Sequence, residues 1–377
     1  MTGKPRVFFT SNVFLEIGEN DKISEEVKTQ IKSLWSELRS LAEIKIFDGR
    51  FPKDEEIEEE IKKFDPQLIG CHLSHPIKSS ALEGSNVVAV LTSTAGYNHI
   101  QRTSEDNIII THTPGVLHQT VADYTIALIM ANLRNIIDLH FYVWNEEWKS
   151  GDKWDLDQDL SSVIDNKTLG IVGLGEIGTE LVKRVYPWGL KIIYYDKNRC
   201  RHTEEEFPGL ECKASLEELF KESDIVSLHI PLNKHTKHLI NKDLLKLMKQ
   251  NALLVNTARG GVINFGDLLS LIENGEIKIH LAFDVYPEEP IEKEMLERFK
   301  KIKKSQPSIR MVLMPHNASA DADTRGKMDI LFLSDLISII KSSNLRDLKD
   351  VHIIPEHQNI LNEKDWKILE YWNKKNQ

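Results

Sequence analysis

Short apolar runs alternate with segments whose apolar positions recur every three or four residues, from near the start of the chain to about residue 341. The runs at 7–10, 44–47, 68–71, 87–91 and 108–110 are rich in Val, Ile and Leu and have the length of buried strands. Between them, 25–41 has amphipathic helical spacing, and 54–63 reads as a strongly acidic, exposed helix. Strands interleaved with helices predict a parallel sheet covered on its faces, so a complete α/β domain fills roughly the first 110 residues.

Thr111-His-Thr-Pro-Gly115 then breaks the alternation with a Pro-Gly turn, a candidate hinge. The helix expected at 121–137 is apolar nearly all round in its first half, which predicts burial between domains or subunits. Residues 145–165 are polar and carry Trp, as a connecting loop or arm would. Beyond 196 the alternation resumes, with helices at 216–221, 242–248 and 265–273 and strands at 225–229, 253–256, 279–284 and 311–314. A long helix at 324–341 can cross back to the first domain.

The stretch from Lys167 to Asp196 has a more specific pattern. An apolar run at 168–172 empties into Gly173-Leu-Gly175-Glu-Ile-Gly178, a helix follows with Ile177, Leu181, Val182 and Val185 on one face, and a second run at 191–195 ends on Asp196. This is a βαβ unit with a dinucleotide-binding turn. Gly173 permits the turn, Gly175 lets the backbone approach a pyrophosphate, and Gly178 lets helix and strand pack closely. The helix N-terminus receives the phosphates, and Asp196 is placed to accept hydrogen bonds from both ribose hydroxyls.

Composition narrows the partners. The chain has 377 residues, 41% hydrophobic and 28% charged, enough for two globular domains. A formal charge of −10 argues against nucleic acid or an anionic membrane as partner. The basic residues near 300–304 and at the C-terminal end read as solvated faces. Three scattered cysteines, Cys71, Cys200 and Cys212, show no metal or disulfide spacing. With no signal-type apolar core at the N-terminus and no run near the ~18–20 residues of a membrane span, a cytoplasmic protein is expected.

Several polar residues directly follow strands, where parallel sheets bind ligands: Asp196, Arg259, Asp284 with Glu288 and Glu289 after it, and His316. Each alone is also what an ordinary surface loop would carry. Together they fit 2-keto/2-hydroxy acid chemistry beside a nicotinamide. Hydride transfer needs a matching proton carrier, and His is the usual one. A carboxylate beside it would fix its tautomer, and an Arg would clamp a carboxylate or polarise a carbonyl.

Four stretches carry a resemblance: THTPGVLHQTVADYTIAL at 111–128, LGIVGLGEIG at 169–178, LHIPLNKHTKHLINKDLLKLMKQNALLVNTARGGVIN at 228–264, and DVYPEEP at 284–290 followed by MPHNASADADTRGKM at 314–328. In these the chain resembles the D-isomer-specific 2-hydroxyacid dehydrogenases, more narrowly their glyoxylate/hydroxypyruvate reductase branch. The resemblance spans about residues 5 to 355. It implies two doubly wound parallel-sheet domains, with a Rossmann NAD-binding domain at 116–322 inserted in a flavodoxin-like substrate domain formed by 1–115 and completed by 323–377. It implies catalytic roles for Arg259, Glu289 and His316, with Glu288 as the alternative to Glu289. Ala95 and Gly96, in STAGYNHI, match the loop whose N–H groups hold the substrate carboxylate, joined by Arg259 and His316. Cofactor contacts are expected from Gly173, Gly175, Glu176, Ile177, Gly178, Asp196, Pro231, Thr257, Ala258, Arg259, Asp284 and His316, with NAD(H) preferred to NADP(H) and no metal. A homodimer acting on a small 2-keto acid is expected, the contact formed by the apolar region 121–131.

The chain also departs from that family. Asn98-His-Ile-Gln101 stands where Asp-Asn-Ile-Asp is common, His112 where Asn is common, and Asn264 where Asp is common. The tail at 359–377 has no counterpart; its Leu361, Trp366, Leu369 and Trp372 are expected to form a helical stripe packed on the domain. Pocket walls are expected near 72–75 and 144–154. The alternatives are a phosphoglycerate dehydrogenase-like enzyme and a corepressor-like NADH sensor, whereas formate dehydrogenases have Gln where DVYPEEP supplies Glu.

Overall fold

The computed structural model of the chain describes residues 3–153 and 155–375; Trp154, at the end of one expected pocket wall, and Asn376 and Gln377, at the end of the tail, lie outside them. The chain divides into two compact units, one formed by residues up to Leu117 together with those from Ala320 onward, the other by His118–Ser319. Each has its own parallel sheet.

In the first unit the strands are β1 (Arg6–Phe9), β2 (Glu43–Ile46), β3 (Leu68–Cys71), β4 (Ala89–Thr92) and β5 (Ile109–Thr111), in the order β2-β1-β3-β4-β5. All neighbours are parallel. Residues of β3, β4 and β5 are buried on both faces, so their sequences are continuous apolar runs rather than alternating ones. Helix Glu25–Leu41 buries Val27, Ile31, Trp35 and Leu38, one stripe at helical spacing. They join a core with Phe9, Phe14 and Phe332 of helix Ala322–Lys341, where Phe14 stacks on Phe332 with centroids 5.1 Å apart. Strand ends differ from the sequence expectation by one or two residues, because pairing register rather than apolarity decides where a strand stops.

The C-terminal segment also belongs to this unit. Residues 352–354 run antiparallel along the β5 edge, with His112 N–H donating to His352 O (3.0 Å) and Ile354 N–H to Ile110 O (3.0 Å). That covers backbone groups an edge strand would otherwise expose. Leu361, Trp366 and Trp372 are buried in the core, but the expected single stripe is corrected: helix Lys367–Lys375 carries only Leu369 and Trp372, while Leu361 and Trp366 precede it.

The second unit has β6 (Thr168–Val172), β7 (Lys191–Tyr195), β8 (Glu211–Cys212), β9 (Ile225–Leu228), β10 (Leu253–Asn256), β11 (His280–Phe283) and β12 (Met311–Leu313), in the order β12-β11-β10-β9-β6-β7-β8. The order reverses at β6, whose neighbours are β7 and β9, and such a reversal opens a crevice at the strand C-terminal ends.

The helix expected at 121–137 stops early. It runs His118–Leu133, turns at Arg134 and Asn135, and continues as Ile136–Trp144. Asn135 is left-handed (φ 54°), which ends the first helix. Ala122, Leu128, Ile129 and Leu133 pack into the unit's own core with Leu169, Ile171 and Leu181, so the first helix owes its apolarity mainly to that core. Ile136–Trp144 buries no residue. No single helix among the described residues is long and apolar enough to cross a membrane; this bent pair, 65° apart, passes by length and composition only.

Candidate active site

The glycine turn follows β6 directly. Gly173 has φ +92°, and a Cβ there would lie 2.7 Å from both His229 O and the Ile230 side chain, at the end of β9. Only glycine fits both demands. A Cβ on Gly178 would lie 2.4 Å from Gly173 O, whereas one on Gly175 would meet nothing within 4 Å. Gly175 is the N-cap of helix Glu176–Val185 and supplies no side-chain cap; the helical bonding begins with Thr179 N–H to Gly175 O (2.9 Å). The N–H groups of Glu176, Ile177 and Gly178 are therefore left to an external anion, and the open space at Gly175 lets it approach. These residues fit a dinucleotide pyrophosphate.

Asp196, just past β7, is held by its neighbours. Its Oδ2 accepts from Leu174 N–H of the glycine turn (2.9 Å) and its Oδ1 from Asn198 N–H (3.1 Å). Each oxygen keeps a lone pair for a ribose hydroxyl. One cation of this loop is engaged elsewhere: Arg199 makes a fork to Glu204 (Nε to Oε1 3.0 Å, Nη2 to Oε2 2.8 Å), and Glu204 also accepts from Tyr194 OH (2.6 Å). Pro231, after β9, has its carbonyl bound by the Thr236 hydroxyl at 2.6 Å.

Arg259 is placed by the end of β10. Buried Asn256 accepts from Ala258 N–H (3.0 Å) and donates to Arg259 O (3.0 Å), closing a side-chain clamp over residues 256–259. Thr257 Oγ1 meets Thr125 Oγ1 of helix His118–Leu133 at 3.0 Å, and Arg259 Nη1 donates to Ala258 O (2.7 Å). A Cβ on Gly260 would lie 1.9 Å from the carbonyl carbon of Tyr286, so glycine alone lets this loop lie against the 286–287 backbone that leads to Glu289. Burial presses the Arg259 pKa down while the Glu289 charge opposes it; a guanidinium remains protonated at any working pH.

The third part hangs from β11. Asp284 is fully buried, and its Oδ1 and Oδ2 accept from Asn317 N–H (2.7 Å) and Ala318 N–H (2.8 Å), while its carbonyl accepts from His316 N–H (2.7 Å). Burial raises the Asp284 carboxyl above its ordinary value, and those two N–H groups pull it back in part. His316 is thereby held at φ +51°. Its Nδ1 lies 2.5 Å from Glu289 Oε2, and Glu289 Oε1 accepts from Tyr286 N–H (3.0 Å). Burial alone would raise the Glu289 carboxyl; the His316 bond and charge, the Tyr286 N–H and the Arg259 charge outweigh it and hold it below the usual range. An ionised carboxylate only accepts, so Nδ1 carries the hydrogen and Nε2 is the nitrogen left for chemistry. Glu288, the alternative, is exposed and makes no hydrogen bond among the described residues.

Arg259, Glu289 and His316 thus meet within one unit. Ala95 and Gly96 follow β4 in the first unit, their carbonyls accepting from His112 Nδ1 (2.8 Å) and Thr94 Oγ1 (2.6 Å). Asn256, Thr125 and Gly260 escaped the sequence reading. For Asn256 a signal existed, since Asn at the end of a strand commonly closes a turn onto the backbone two residues on. For Thr125 and Gly260 none did, because each depends on a contact distant in sequence.

Residues 126–318 match the profile described as "D-isomer specific 2-hydroxyacid dehydrogenase, NAD binding domain". The chain belongs to the D-isomer-specific 2-hydroxyacid dehydrogenase family. A glyoxylate reductase of Thermococcus litoralis is 34% identical over 342 residues, 90% of this chain and 94% of that protein. One from Aeropyrum pernix is 37% identical over 253 residues, 67% of this chain and 72% of that protein. The crystal structure of a glyoxylate reductase from Paecilomyes thermophila superposes with a TM-score of 0.74 at 26% identity, covering 94% of this chain and 99% of that one. As a member of the 2-hydroxyacid dehydrogenases, the chain is an oxidoreductase that uses a nicotinamide cofactor and a small keto or hydroxy acid.

Proposed function

We propose that this dehydrogenase reduces glyoxylate, hydroxypyruvate or a similar small 2-keto acid to the D-2-hydroxy acid, with NADH as cofactor and His316 as general acid. The observation that carries it is the 2.5 Å contact of His316 Nδ1 with Glu289 in the same unit as the dinucleotide turn. When bound, the cofactor supplies the hydride. Glu289 accepts from Nδ1–H and fixes the ring's orientation, so the protonated ring donates from Nε2–H to the substrate's carbonyl oxygen. Arg259 offers its planar fork to the carboxylate and stabilises charge growing on the carbonyl. The N–H groups of the Ala95–Gly96 loop bind the carboxylate. Asp284 fixes the backbone on which His316 stands. The naming of the Thermococcus and Aeropyrum relatives supports glyoxylate.

NADH is favoured over NADPH because Asp196 would repel a 2′-phosphate and Arg199, tied to Glu204, is not free to neutralise it. The exposed apolar side chains of Ile136, Phe141, Val143 and Trp144 (73% exposed), continued by Trp148 and Leu156 (96%), support a homodimer; they replace 121–131 as the reason for one. The absence of disulfide spacing supports a cytoplasmic location.

Oxidation of NADH followed by absorbance, with glyoxylate, hydroxypyruvate and pyruvate, tests the reaction. Turnover is expected with the first two above pyruvate, and no turnover with any of them would sink the reading. A kcat/KM with NADPH equal to that with NADH would reverse the cofactor assignment, and a monomer by light scattering would remove the dimer.

A further inference from the structure

His112, one of the departures from the family, and the C-terminal segment converge on one place. The loop after β4 is held by three side chains. His112 Nδ1 donates to Ala95 O (2.8 Å), and Thr94 Oγ1, itself bonded to Thr92 Oγ1 (2.8 Å), donates to Gly96 O (2.6 Å). Tyr97, the next residue, donates its hydroxyl to Glu356 Oε2 at 2.8 Å, a bond that spans 259 positions of sequence. The Tyr97 ring also meets the His112 ring edge-on, centroids 5.3 Å apart.

A trans peptide points its C=O and N–H in opposite directions. Fixing the carbonyls of Ala95 and Gly96 therefore aims the N–H groups of Gly96 and Tyr97 the other way. Of these, the Gly96 N–H belongs to the loop proposed above to hold the substrate carboxylate.

Glu356 stands on a firmly seated segment. Residues 352–354 pair along β5, buried His357 bonds Asp106 through Nε2 (3.1 Å), and Lys367 N–H donates to Asn107 O (3.0 Å). Arg102 lies 3.8 Å from the Glu356 carboxylate. Burial would raise that carboxyl, but the Tyr97 bond and the Arg102 charge help to hold it below the usual range, ionised and accepting.

We infer that His112, Tyr97 and Glu356 are positioning residues for the substrate-carboxylate loop, so that the C-terminal segment takes part in substrate binding. The inference rests on reading Ala95 and Gly96 as that loop. Tyr97→Phe and Glu356→Ala delete the same bond, which allows a double-mutant cycle in the full chain. Each is expected to raise KM for glyoxylate about fivefold, the scale of one half-exposed charged hydrogen bond, with kcat and KM for NADH unchanged. The double variant should be no worse than either single one. His112→Phe, which keeps the ring but removes the donor, should also raise KM for glyoxylate with kcat unchanged.

Unchanged KM in the single variants, singles whose effects multiply in the double, or an equal rise in KM for NADH would each overturn the inference. Hydrogen exchange over residues 95–98 gives a readout that needs no turnover. Faster exchange in both single variants supports the brace, and unchanged exchange overturns it. Should the wild-type enzyme reduce no 2-keto acid, the reading of the reaction fails, while this exchange result still decides whether the segment braces the loop.

Discussion

The two units hold their functional loops in opposite ways. In the second, Arg259 and Glu289 with His316 are hung from the ends of β10 and β11 by buried Asn256 and Asp284, each bonding backbone within its own strand-end region or the next. In the first, the Ala95–Gly96 loop is held by side chains outside the strands, one of them arriving from residue 356. Buried backbone clamps leave few alternative geometries. Half-exposed side-chain bonds leave more, so chemistry should depend steeply on the second unit and substrate affinity more gently on the first.

The largest expected effect is that of His316→Ala. It should depress kcat by about 10²–10⁴ while circular dichroism shows an intact fold; near-normal kcat would leave His316 a mere turn residue and remove the contrast. Gly260→Ala comes next. Its Cβ would fall on the Tyr286 carbonyl, and the forced shift should destabilise the protein by about 3 kcal/mol in urea unfolding, with loss of activity in the molecules that remain folded. A silent Gly260→Ala would show that the second unit's loops yield after all.

The first unit should respond to pH in its stability. Burial pushes the Asp335 carboxyl up to about 6, against the lowering effect of its bond to His352, whose carbonyl in turn accepts from His112 N–H. The folded state then keeps its proton to higher pH than the unfolded chain. Stability relative to Asp335→Asn should fall by up to roughly 3 kcal/mol as pH rises from about 4 through about 6. Thermal unfolding of both proteins across that window checks it, and parallel curves would show Asp335 to be solvated.

The smallest effect is one of position on the pH axis. Because the Glu289 carboxyl is held low, its support of His316 is complete at neutral pH and is lost only as pH falls through its own depressed pKa. Glu289→Gln removes that support at every pH. The acid limb of keto-acid reduction that follows protonation of Glu289 in the wild type should be absent from the variant, and the same limb in both kcat profiles would separate Glu289 from the proton transfer.

What was readable in the sequence follows the same division. Buried parallel strands announce themselves as apolar runs, and whatever follows a strand end in such a sheet is delivered to one side, so Asp196, Arg259 and His316 can be placed at strand ends from the sequence alone. The break at Asn135 was missed because the apolar pattern continues across it. The clamp by Asp284 was missed because a buried Asp and a ligand-binding Asp look alike as letters. The Tyr97–Glu356 bond was beyond reach, since nothing local in either residue points to the other.

His316 sits at φ +51°, where the chain would rest more easily as glycine or asparagine; a left-handed residue with a side chain costs roughly 1 kcal/mol. Selection for thermostability alone would press against histidine at this position, and a redesign that scored only folding energy would exchange it early. Under the role proposed for His316, this unfavourable backbone conformation is a trade-off between durability and turnover, and stabilised versions of this enzyme are better sought at positions away from the β12 exit.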